Sequence, residues 1–122
     1  MTDKPFRFGP VALTTTTTTN ILKGPIQAAA GVNVAAQDIY MVIRHISIVN
    51  KTAGAVTFSL WMDATGGNSA GKEVIGSLQS IPAYSTFPWY GMLRMDAADY
   101  LVGGASANTS LTIEGEGTMT VI

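Results

Sequence analysis

The chain has 122 residues, 47% of them apolar and 12% charged, with a formal net charge of −1 and no cysteine. The length suits one domain, and a charged fraction of about 25% would be ordinary for a soluble protein. Sparse charge of both signs excludes a basic footprint for nucleic acid. No apolar run approaches the roughly 18 residues of a membrane-spanning helix, and without thiols there is neither a disulfide framework nor thiol chemistry.

Residues 1–10 read as an extended arm. Phe6 and Phe8 alternate with Arg7, and Pro5 and Pro10 disfavour a helix. The segment lacks the uninterrupted apolar stretch of a secretory signal, so synthesis and assembly in a cytoplasm are expected. Two readings stay open for it: a disordered tail, or an arm that docks on a neighbouring subunit through Phe6 and Phe8. Residues 11–122 are then the folded domain. The six threonines at 14–19 are β-branched and favour a half-exposed strand. Uniform Thr sets register weakly, so Val11, Leu13, Ile21 and Leu22 must fix it. Residues 24–37 read as a loop with a short strand around 32–35.

The strongest strand covers residues 40–50. Its even positions are Tyr40, Val42, Arg44, Ile46 and Ile48, and its odd positions Met41, Ile43, His45, Ser47 and Val49. Both rows are largely apolar, as in a strand covered on two sides. After a turn at 51–54, Val56, Phe58, Leu60 and Met62 face one way and Thr57, Ser59 and Trp61 the other. The two strands together predict a β-hairpin. A Gly/Ser/Asn loop at 64–72 leads to a short strand at 73–79. The strand at 85–95 places Phe87, Trp89, Leu93 and Met95 on one face and Tyr90 and Met92 on the other. Pro88 puts that strand at an edge or on a bulge. A turn at 96–99 precedes a strand from Tyr100. Strands at 110–115 and 118–122, with a turn or bulge at Gly115-Glu116-Gly117, close the chain.

No helical period survives, and turn signals recur about every 8–12 residues. The predicted fold is all-β: an antiparallel, jelly-roll-like β-sandwich of about seven to nine short strands. Its expected core is Val42, Ile46, Ile48, Phe58, Leu60, Phe87, Leu93, Leu111 and Ile113.

Candidate chemistry is thin. Residues 66–73, GGNSAGKE, come near a phosphate-binding loop, but Glu73 replaces the required hydroxyl and a strand follows where a helix is needed. His45 is the only histidine and has no cysteine or second histidine to share a metal. Asp96, Asp99, Glu114 and Glu116 could suggest glycosidase or calcium chemistry, yet aspartates commonly close turns through their own backbone. Trp61, Trp89, Tyr84, Tyr90 and Tyr100 suit a sugar platform, or equally the core or subunit anchors, and the low charge favours anchors. The reading is a non-enzyme without cofactor or metal. The apolar surplus predicts self-association as a trimer through Met41, Ile43, Trp61, Tyr90 and Met92, with Phe6 and Phe8 of the arm.

The runs IRHISIVNKT at 43–52 and VTFSLW at 56–61 resemble small β-sandwich virion proteins of tailed bacteriophages. There a strand ends in an Asn-x-Thr, and a short Gly/Ala turn leads to an alternating strand. The run DAADYL at 96–101, with ASAN at 105–108, is similar to the later part of that group. The resemblance covers about residues 40–122 and rests on a pattern of hairpins, with no shared active-site motif. It implies a capsid decoration protein on the outer surface of a virion, binding itself and the major capsid protein. A tail, fibre or carbohydrate-binding receptor module is the alternative.

Overall fold

The alternating segments become eight strands: β1 (Thr2–Ala12), β2 (Thr19–Lys23), β3 (Ile39–Asn50), β4 (Val56–Asp63), β5 (Glu73–Ile81), β6 (Thr86–Met95), β7 (Tyr100–Ala105) and β8 (Leu111–Val121). The structure, a computed structural model, describes residues 2–16, 19–24, 39–63, 73–96 and 99–121. The expected short strand at 32–35 and most of the phosphate-loop-like segment lie outside these residues. The strands form two antiparallel four-stranded sheets, in the orders β1-β8-β3-β6 and β2-β7-β4-β5. Each sheet alternates strands from the two halves of the chain, which is jelly-roll topology. Ile43, Ile46, Ile48, Phe58, Leu60, Leu101, Leu111 and Ile113 fill the space between the sheets.

The expected core is largely correct, with one correction that has a single cause. Ile43 lies opposite Gly117 of β8, while His45 lies opposite Glu116. Arg44 is therefore an extra residue, and a one-residue insertion exchanges the two faces of everything beyond it. Met41 and Ile43 point inward on one side of the bulge, and Ile46 and Ile48 on the other. Val42, expected in the core, is half-buried and outside it. β6 takes up a further residue here, with Leu93 opposite Ile43 and Tyr90 opposite His45. Pro88 keeps regular register opposite Ser47, so of the edge or bulge expected there only the edge is found: β6 ends its sheet.

The arm is not an arm. Thr2 through Phe8 pair with Val121 through Gly115, and Phe8 belongs to the buried core. Gly115 is what admits it: a side chain there would meet the Phe8 ring at 2.5 Å and the His45 carbonyl oxygen at 2.7 Å. The Gly115-Glu116-Gly117 segment is accordingly not a turn. It lies within a continuous β8, and its glycines make room for neighbours on both sides.

The predicted hairpin of β3 and β4 is also corrected, because the two strands belong to different sheets. The short link between them is a corner, and Asn50 holds it. Its buried amide nitrogen donates to the carbonyls of Gly54 (2.9 Å), Ile81 (3.0 Å) and Pro82 (3.2 Å). Its oxygen accepts from the Thr52 backbone N–H (2.9 Å) and hydroxyl (2.7 Å). The expected strand at the threonines is corrected in part: Thr19 opens β2, but Thr14–Thr16, which follow β1 of the other sheet, are not in a strand. Instead, Leu13 donates to the Leu111 carbonyl and accepts from Thr109, while Thr14 accepts from Ala105. At such a crossing the backbone needs partners outside a ladder, and strand propensity yields to that need.

Candidate interaction surface

β6 is an edge of one sheet and β5 an edge of the other, and residues 82–85 join them along one side of the sandwich. Among the described residues, every large apolar side chain classed as exposed belongs to this side or its margin. Leu78 (75% exposed), Tyr84 (72%), Tyr90 (74%) and Met92 (73%) stand out most. Val74 of β5 and Val49, which pairs with Thr86 of β6, complete the set.

Two of these residues have unusual backbones. Leu78 and Tyr84 both adopt φ = 54°, in the left-handed region. For a bulky L-residue that conformation costs about 1–2 kcal/mol. Specific bonds hold it. The Leu78 N–H donates to the hydroxyl oxygen of buried Ser59 at 2.7 Å, and the Tyr84 N–H donates to the Thr52 carbonyl at 3.1 Å.

The outer face of the first sheet is more polar. A cleft of about 140 Å³ is lined by Arg7, His45, Glu114, Gly115 and Glu116. His45 stacks on Tyr90, with ring centroids 4.8 Å apart and planes 26° apart. Its Nδ1 lies 3.7 Å from Glu116 Oε1, an ion-pair distance when the ring is protonated. Arg94 donates to Asp96 at 2.9 Å and lies over the Tyr40 ring at 4.2 Å. Arg44 donates to the Thr118 hydroxyl at 3.5 Å. Asp99 accepts from the Asp96 N–H at 2.8 Å, so that pair closes a turn as expected. Among the described residues no group of three or more potential ligands is placed to hold a metal.

The residues expected at an interface divide. Tyr90 and Met92 are exposed on the β6 edge. Phe8, Met41 and Ile43 are core residues of the monomer and cannot present a surface, and Phe6 is half-buried against that core. Trp61 is only 7% exposed, and its indole N–H has no hydrogen-bond partner among the described residues. With Trp61 buried and Trp89 packed against the core, a sugar platform lacks both indoles. Tyr84, named among the candidate aromatic anchors, is exposed. Sequence reasoning missed Val49, Val74 and Leu78 as surface residues.

No protein-family model matches the chain. No curated protein matches it in sequence. A structure of turnip yellow mosaic virus shares the fold, with a TM-score of 0.50 and 11% identity over 98% of this chain and 79% of that one. Eiger TNF from S. frugiperda (TM-score 0.44, 11% identity, 98% and 92% covered) and the tobacco streak virus coat protein dimer (0.45, 7%, 98% and 85%) are looser likenesses. At these identities the comparison speaks for the jelly-roll architecture alone.

Proposed function

We propose that this chain is a structural, non-catalytic virion protein: a decoration (cement) protein on the outer capsid surface of a tailed phage. It acts as a homo-oligomer, a trimer, that bridges neighbouring subunits of the major capsid protein. The observation that carries this reading is a sandwich that completes its own core and still exposes several large apolar side chains along one side. Exposed apolar groups of that kind mark association surfaces. The low charge of the chain, the fold it shares with the virus structure and the resemblance over residues 40–122 point the same way. The mechanism is mechanical: contacts added across capsomer boundaries resist internal pressure. The glycan-binding alternative is left with exposed tyrosines alone.

The test is reconstitution. Purified protein is added to capsids of the source phage that lack it, and the particles are imaged by electron cryomicroscopy. Density at fixed, symmetry-related positions and a higher particle disruption temperature are the expected results. Particles that stay bare at protein concentrations of roughly tens of micromolar, where a standard-size interface is occupied, would count decisively against it.

A further inference from the structure

We propose that the β5–β6 side is where copies of this chain meet, and that they meet through side chains rather than by joining strands. This rests on the self-association in the reading above and names the surface that performs it. Three observations argue for a second copy as the occupant.

The first is extent. Leu78, Tyr84, Tyr90 and Met92 are each more than 70% exposed along this side, and a stable standard-size interface needs several such side chains to cover roughly 800 Å² per partner. The second is charge. Arg94, on this side, is already paired with Asp96 and stacked on Tyr40. Such a surface suits a like surface on a chain whose net charge is only −1, and copies of it do not repel. The third is the strained backbone. At φ = 54° an Asn or Gly is at ease, and a Leu or Tyr is not. Leu78 and Tyr84 nonetheless occupy these positions and project outward, where the folded monomer gains little from them. Strained residues held by a surrounding framework gather at functional sites.

Strand addition is obstructed on the same side. Pro88 in the middle of β6 has no N–H to offer, and β6 carries an irregularity between Tyr90 and Leu93. The register of β5 against β4 shifts twice, between Phe58 and Leu60 and between Leu60 and Trp61. Irregular edges of this kind prevent open-ended sheet growth, which leaves side-chain packing as the mode of contact.

Sedimentation velocity across roughly 1–100 µM tests this on the full chain. Wild-type protein should be oligomeric at the upper end. Leu78→Asn and Tyr84→Asn, which suit the backbone, should each weaken association by about tenfold or more without lowering the thermal midpoint of the dissociated protein. Tyr90→Ser with Met92→Ser should do the same. Glu114→Gln, on the outer face of the first sheet, should associate as wild type does. A wild-type monomer at the highest concentration overturns the inference, as does normal assembly of all three patch variants. Reconstitution on capsids separates the two readings: a monomer that still decorates particles sinks this inference and the trimer but leaves the virion role, and an oligomer that ignores them sinks only the virion role.

Discussion

Removal of residues 1–10 is expected to unfold the protein. β1 pairs with β8 from Thr2 opposite Val121 to Phe8 opposite Gly115, so its loss turns an interior strand into a bare edge. Phe8 alone makes the point. It is 6% exposed and seated on Gly115, and Phe8→Ala should cost about 3–5 kcal/mol. A domain of this size has a total stability of about 5–15 kcal/mol. The backbone hydrogen bonds of the strand, worth about 1 kcal/mol each, add to the loss. Circular dichroism should show no cooperative melt for the truncated chain, and a midpoint for Phe8→Ala lowered by about 10–20 °C. A truncated protein that melts within a few degrees of wild type would restore the reading of this segment as a dispensable arm.

The second large effect is expected at Asn50. Replacing it with Ala strips a hydrogen-bond donor from the carbonyls of Gly54, Ile81 and Pro82, and an acceptor from Thr52. Unsatisfied groups of this kind cost about 1–3 kcal/mol each where water cannot replace the partner, so a loss of about 2–4 kcal/mol is expected. Asn50→Asp should be worse despite its closer shape. It keeps the bonds from Thr52 but sets a buried carboxylate against three carbonyl oxygens. Urea titration should show the midpoint falling in the order wild type, Ala, Asp, with an unchanged slope. An Asp variant as stable as the Ala variant would show that the donated bonds do not hold the corner.

The fold class was legible because it depends on alternation, and alternation survives in β4 and β6 almost residue for residue. Phe58, Leu60, Phe87 and Leu93 could be assigned to the inner face on that ground alone. What could not be read was anything that depends on one residue more or less. The extra Arg44 shifts β3 by one, and with it Met41 and Ile43 change from surface to core. No composition rule distinguishes Arg44 from its neighbours as the inserted residue. Partnership was equally hidden. A short link after Asn50 looks like a hairpin turn, and only the carbonyls of Ile81 and Pro82, more than 30 residues away, turn it into a corner. The interface residues were half-read for a related reason. Tyr90 and Met92 follow from alternation and Tyr84 was a candidate by its aromatic type, whereas Leu78 is exposed on a left-handed backbone that leaves no trace in residue type.

The pairing of β1 with β8 also sets an order of events during synthesis. Of the eight strands described, the earliest made pairs with the latest. At about 5–20 residues per second, translation needs on the order of 5–20 s to pass from the end of β1 to the start of β8. Throughout that interval Phe6 and Phe8 have no β8 to pair with, and a nascent apolar strand is a template for mispairing with other chains. Pro5 and Pro10 lie in β1 and withhold two of its backbone donors. The residues that give the segment the look of a tail are thus well suited to keep it solitary until Leu111 emerges. Ribosome-stalled chains ending before Leu111 should be cut within β1 by a protease that leaves the full chain intact; equal resistance in the two would show that β1 finds shelter without β8.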